Sequence, residues 1–234
     1  MMHQSVARFH IPGRLLVRMA GLLALAALGP ACYSSSGHNY MAPAGPGGGA
    51  GTLVSDGFFP YPNGNWTGAT GSAATASSFF TGSQYFLRMQ DTTRPGNISD
   101  ITAMTFSSEA LTFKIDFQSS ATSTVTDQAF IQIVDSASPG TVLAGALYDA
   151  STGMITFSIG ATAFPAVAYA AGSFQTITFT IDAGLGGTWM IGATNEGTAA
   201  FGTHTTKLKL GATWSASAGA APIFDFDNLV ISSP

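Results

Sequence analysis

Glu109 and Glu196 are the only glutamates in the chain, and 87 positions separate them. Retaining hydrolysis of a glycosidic bond needs two carboxyl groups about 5–5.5 Å apart, on one strand face or on facing strands, and neither glutamate belongs to a closely spaced pair. His204 is the only histidine beyond position 38, so a triad or a histidine metal site would have to be built around a single imidazole. The chain has no G-x-S-x-G elbow and no H-E-x-x-H pair. The residue types that remain are those of recognition. Tyr61, Asn63, Asn65 and Trp66 crowd into the turn-rich stretch "FFPYPNGNWTG", and Trp214 lies in the polar stretch "GATWSASAG". An aromatic face offers an apolar platform to a sugar ring, while amides and carboxylates fix its hydroxyls. These five residues are therefore the expected ligand contacts. Trp189, beside Met190 and Ile191, reads as core.

The N-terminal region says where such chemistry would operate. Arg8, Arg14 and Arg18 lead into the apolar run "MAGLLALAALG" at 19–29, the layout of a secretory signal peptide. It is shorter than the roughly 20 residues a membrane span needs. Cys32 is the only cysteine, so an exported chain cannot form an internal disulfide. The stretch "LGPAC" resembles the lipobox of bacterial lipoproteins, with Leu28 four positions before Cys32 instead of the usual three. The resemblance implies cleavage before Cys32, lipid on its sulfur and nitrogen, and a membrane anchor. Tyr33, where an aspartate would signal inner-membrane retention in that family, implies the outer membrane or cell surface; secretion after cleavage near Ala31 is the alternative. Residues 33–51 hold little that could bury a core and read as a flexible tether with a typical span of about 25 Å. The expected organisation is a signal peptide over 1–31, a lipidated cysteine and tether over 32–51, and a folded domain over 52–234.

Without the first 31 residues, five basic side chains face all 12 acidic ones, a net charge near −7. Nucleic acid and anionic headgroups reward a basic patch that this composition does not offer. Of 17 phenylalanines, 16 fall after position 51, enough to furnish the core of one domain.

The elements that must position the candidate residues are strands. Leu111, Phe113, Ile115 and Phe117 alternate with Thr112, Lys114 and Asp116, and Ile155, Phe157 and Ile159 and then Ile177, Phe179 and Ile181 repeat the period of two. Segments beginning at Tyr85, Ile101, Ala129, Thr141, Thr188 and Phe224 are further candidates, separated by turn signals such as "YPNGN", "RPGN" and "GLGG". The expectation is an all-β, antiparallel two-sheet sandwich of 10 to 13 strands. In "FDFDNLVI" strict alternation would put Leu229 and Ile231 on the aspartate face, which predicts either a bulge near Asn228 or cover on both faces. Asp227 then sits close to buried structure.

The stretches "VSDGFFPYPNGNWTG", "ALTFKIDFQ", "FQTITFTIDAGLGGTWMI" and "FDFDNLVISS" together resemble the concanavalin A-like (laminin-G-like) jelly roll of bacterial surface proteins. That resemblance implies a structural calcium ion tying the termini together, held by Asp56, Asp227 and Asn228 with loop carbonyls. Laminarinase-type hydrolases of this fold carry an ExDxxE strand that is missing here. Its polysaccharide lyases read Gln-Ile-His where this chain has Gln132, Ile133 and Val134, and valine cannot carry a proton. The combined expectation is a non-catalytic, lipid-anchored surface module that binds glycan or another extracellular ligand. The alternative is a structural or adhesion protein of the envelope that contacts neighbouring proteins.

Overall fold

The computed structural model describes residues 51–107, 110–217 and 219–233. The expected signal peptide, Cys32 and the tether up to residue 50 lie outside the described residues, and Gly51, placed at the end of the tether, instead opens the first strand. The described residues form strands and no helix: β1 (Gly51–Asp56), β2 (Thr70–Ser72), β3 (Ala74–Phe80), β4 (Tyr85–Asp91), β5 (Gly96–Ile101), β6 (Phe106–Ser107), β7 (Leu111–Ser119), β8 (Gln128–Asp135) and β9 (Val142–Asp149). There follow β10 (Met154–Ile159), β11 (Thr162–Ala163), β12 (Val167–Ala168), β13 (Gln175–Ile181), β14 (Gly186–Ile191), β15 (Thr194–Ala200), β16 (Thr205–Trp214) and β17 (Phe224–Ser233). The total exceeds the expected 10 to 13 because several strands are only two or three residues long, below the length at which alternation can be recognised.

Two antiparallel sheets stack. The first runs β15-β14-β13-β7-β17-β4-β3, with β1 also paired to β17; the second runs β11-β10-β9-β8-β16-β5-β2, with β12 on β10 and β6 on β16. Their inner faces carry the alternating residues. Phe113 and Ile115 of β7 stand opposite Phe179 and Ile177 of β13, and from the second sheet Ile131, Ile133, Phe157, Leu208 and Leu210 close over them, all buried. Rings meet across the interface, Phe117 with Tyr148 at 5.5 Å and Phe157 with Trp189 at 5.4 Å between centroids. Each such side chain contributes roughly 1.5–3 kcal/mol by leaving water.

Two local features shape the edge where the candidate residues lie. Asp227 faces Asp116 across β7, yet Val230 faces Lys114. One extra residue has therefore been inserted, and Asn228 takes it up at φ 48°. The inner face passes from Phe226 to Leu229 and Ile231, all buried, which is the bulge the broken alternation predicts. Between β2 and β3 the chain crosses from the second sheet to the first through Ala73 at φ 59°. The expected strand at Ile101 is a strand end instead: Thr102 bridges to Trp66, and pairing resumes only at Phe106.

Candidate functional site

Asp56 ends β1 buried. Such a carboxylate needs donors, and the next ten residues supply them. Phe58 N donates to Oδ1 at 2.6 Å, Asn63 Nδ2 lies 3.2 and 3.1 Å from the two oxygens, and Asn65 Nδ2 and Trp66 Nε1 donate to Oδ2 at 3.1 and 2.8 Å. Asn63 also shapes the turn, its Oδ1 accepting from Asn65 N at 2.9 Å. Beside this hub the Tyr61 hydroxyl donates to Asp100, whose other oxygen receives Thr67 Oγ1 at 3.1 Å. Burial and the Asp100 carboxylate push the Tyr61 phenol far above its ordinary range.

This arrangement corrects the expected ligand contacts. Trp66 is 5% exposed and packs on Phe58 at 5.6 Å. Trp214 closes β16 at 3% exposure, with Nε1 donating to Pro222 O at 2.8 Å. Neither ring offers a face to solvent, and Tyr61, Asn63 and Asn65 direct their polar groups at Asp56 and Asp100. The expected calcium site fares similarly. All the partners of Asp56 are N–H donors, which a cation would have to displace, so the donor set does not fit the ion. Asp227 and Asn228 bond elsewhere, and among the described residues no three His, Cys, Asp or Glu side chains converge as a metal site.

The same stretch nevertheless builds an aromatic surface that the expected set did not include. Phe58 is fully buried while Phe59 is 46% exposed. Phe59 stacks on Tyr85, centroids 3.9 Å apart and planes 23° from parallel. On the far side of Tyr85, its cross-strand partner Phe80 stacks at 4.5 Å and is 43% exposed. Three rings thus form a short pile at the tip of the β3–β4 hairpin, closed by Thr81 N donating to Gln84 O at 3.1 Å. "FF" occurs at 58–59 and 79–80, but alternation does not sort these rings: Phe58 turns into the core at φ 57°, outside any strand, and Phe79 and Phe80 are both exposed.

A polar cluster lies on the outer face of the first sheet, opposite to the face that Tyr85 and Phe80 share with Leu87. Gln84 Nε2 donates to Asp227 Oδ2 at 2.7 Å, and Asn228 N donates to Asp227 Oδ1 at 2.8 Å. Asp116 accepts from Thr176 Oγ1 at 2.6 Å and Asn228 Nδ2 at 2.9 Å. Arg88 grips Asp225 with two nitrogens at 2.9 and 3.0 Å and lies 3.6 Å over the Phe79 ring. Desolvation, with Asp116 adding to it, pushes the Asp227 carboxyl up to about 6, against the pull of Asn228 N. Burial raises Asp225 as well, against Arg88.

The outer face of the second sheet is different. Gln132 pairs with Lys209 and Gly145, and Val134, standing where the lyase comparison wants a histidine, is buried. Phe130 lies across Gly211, where any Cβ would overlap the ring. This face holds amides, Lys207 and Lys209, and a phenylalanine.

No family model matches the chain, and no curated protein does. Solved structures do. A Bacillus licheniformis beta-glucanase aligns at TM-score 0.56 and 15% identity over 80% of this chain and 99% of its own, and lectin II from Ulex europaeus at 0.57 and 14% over 79% and 98%. A sialidase aligns at 0.55 and 12% over 72% of this chain, which spans only 17% of that protein. At these identities the likeness concerns the fold, and the fold is the concanavalin A-like jelly roll.

Proposed function

We propose that the domain is a non-catalytic module that binds extracellular glycan through the Phe59–Tyr85–Phe80 pile. The observation that carries this reading is the pair of solvent-facing rings, Phe59 and Phe80, both stacked on Tyr85. Exposed rings accept the C–H face of a pyranose. The lectin and carbohydrate-recognition domains among the structural relatives make the reading natural without carrying it. A glycan-array screen of the purified protein tests it. Binding that Phe59→Ala and Phe80→Ala weaken by about tenfold, at unchanged thermal midpoint, supports the reading. A blank array removes it.

The leader belongs to the same proposal: export, acylation of Cys32 and display at the outer membrane or cell surface. Metabolic labelling with a palmitate analogue, lost in Cys32→Ser, is the test. A second reading, contact with an envelope neighbour, draws on Val142 and Leu147, exposed apolar residues of β9 on the outer side of the second sheet. A pull-down that depends on Leu147→Asp instead of Phe80→Ala favours it.

A further inference from the structure

Both sheets end in strand edges, and among the described residues all but one of these edges are blunted. β2, at one margin of the second sheet, has three residues, while β6, β11 and β12 have two each. β1 carries a register shift between Thr52 and Val54 and ends in Asp56. β15, the far margin of the first sheet, holds Glu196, faces a register shift at Trp189 and Met190, and has the Phe164 ring packed on Gly197. Shortness, bulges, charge and cover are the devices that keep sheet edges from pairing. β3 has none of them. It is seven residues long and pairs with β4 in unbroken register, and from 67 to 84 no residue is charged or proline.

We propose that β3 is where two copies of this chain join, antiparallel about a twofold axis at Ser77, so that their first sheets become one. This goes beyond the glycan-binding reading and does not depend on it.

The free backbone groups define the register. Thr81 N donates to Gln84 O at 3.1 Å across the hairpin, which makes 81 and 84 a hydrogen-bonded pair, and in an antiparallel ladder such pairs alternate with pairs that are not bonded. Thr75, Ser77 and Phe79 therefore bond β4, and Ala74, Ala76, Ser78 and Phe80 turn their N–H and C=O groups to the open margin. Ser78 Oγ donates to Phe58 O at 2.6 Å, a side-chain bond that leaves the backbone groups of Ser78 uncommitted. A twofold axis at Ser77 sets Ala74 of one copy opposite Phe80 of the other, and Ala76 opposite Ser78. Each of these pairs closes two N–H to C=O bonds, so every outward group of β3 finds its complement.

The side chains fit the same register. Thr75 stands opposite Phe79, and Ser77 opposite itself. Each ring meets a small residue, no like charges meet, and Phe79 and Phe80, both exposed in the single copy, leave water. Such self-complementarity is what a twofold interface requires of one surface patch. A foreign strand would have to bring this order of small and large side chains; a second copy of β3 already has it. One strand pair is small for a specific interface, so association is expected at about 10–100 µM.

Sedimentation velocity of the purified full-length protein carrying Cys32→Ser, from about 2 to 300 µM, should show a monomer–dimer equilibrium in that range. Ala76→Pro removes an outward N–H and no bond to β4, a place where an edge strand accepts proline. It should weaken the dimer by at least about tenfold, with the thermal midpoint of the dilute protein changed by less than about 5 °C; Ala74→Pro serves if that variant folds poorly. Ser77→Cys, also in Cys32→Ser, puts two sulfurs at the axis, where facing Cα atoms of a pair without hydrogen bonds lie about 4.5 Å apart, within disulfide reach. Mild oxidation should link it into dimers and leave Ala183→Cys, exposed in the β13–β14 turn, unlinked. A protein that stays monomeric across the range overturns the proposal and leaves the edge to a foreign strand. A dimer that is indifferent to Ala76→Pro, or that Ser77→Cys does not link, uses another surface and overturns it equally.

Discussion

Trp66 Nε1 donates to Asp56 Oδ2 at 2.8 Å, and through that bond a tryptophan in a turn-rich, polar stretch becomes core. Replacing the carboxylate by a methyl group leaves the donors on Phe58, Asn63, Asn65 and Trp66 without a partner in a buried place. Asp56→Ala is expected to cost about 3 kcal/mol, which lowers the thermal midpoint of a domain this size by roughly 6–12 °C. Differential scanning calorimetry reads this directly. Because the carboxylate is already saturated by N–H donors, millimolar calcium or EDTA should leave the midpoint of the unsubstituted protein in place, and a rise with calcium would show that the loop rearranges around the ion.

Phe59→Ala and Phe80→Ala remove rings that are nearly half exposed, so the fold should tolerate each at a cost of about 1 kcal/mol or less. Phe58→Ala, one residue away, empties a fully buried site and should cost about 3–5 kcal/mol. Equal losses at 58 and 59 in chemical denaturation would contradict the division of the doublet.

Asp227 titrates at about 6 in the folded protein, above the ordinary carboxylate range near about 3.9 that its unfolded state would show. The folded state therefore holds the extra proton between those values. Its contribution is favourable below about pH 4 and is lost as pH rises through about 6. The midpoint difference between Asp227→Asn and the unsubstituted protein should accordingly be most favourable to the variant at about pH 8 and should shrink steadily toward about pH 4.5. A difference independent of pH would place the proton elsewhere.

Arg94 Nη2 meets Asp127 at 2.6 Å, and both side chains are essentially buried. Ser123 Oγ and Ser215 N complete the shell of the aspartate. Removing the guanidinium strands a charge in the interior, so Arg94→Ala should destabilise by about 3–5 kcal/mol. Arg94→Ala combined with Asp127→Ala should recover part of that loss, which a double-mutant cycle in urea would measure.

Much of the fold was legible along the chain because alternation is a local consequence of strand geometry. Leu111 to Phe117, Ile155 to Ile159 and Ile177 to Ile181 fall on inner faces as their period requires, and the broken period at Asp227–Asn228 announced the bulge. Even the burial of Trp214 had a signal, since Leu208, Leu210, Ala212 and Trp214 alternate with Lys207, Lys209, Gly211 and Thr213 along β16. The polar residues after Trp214 masked it.

The placement of the candidate site had no such local rule. Nothing within "YPNGNW" distinguishes amides that would meet a ligand from amides that meet Asp56; that was decided by the pairing of β1 with β17, which buries the carboxylate and makes those donors necessary. Phe59 and Phe80 stand exposed because Tyr85, brought between them by the β3–β4 hairpin and the loop after β1, already occupies one face of each. Alternation states that a side chain points to one side of a strand, and only the assembled sheets determine whether that side is protein or water.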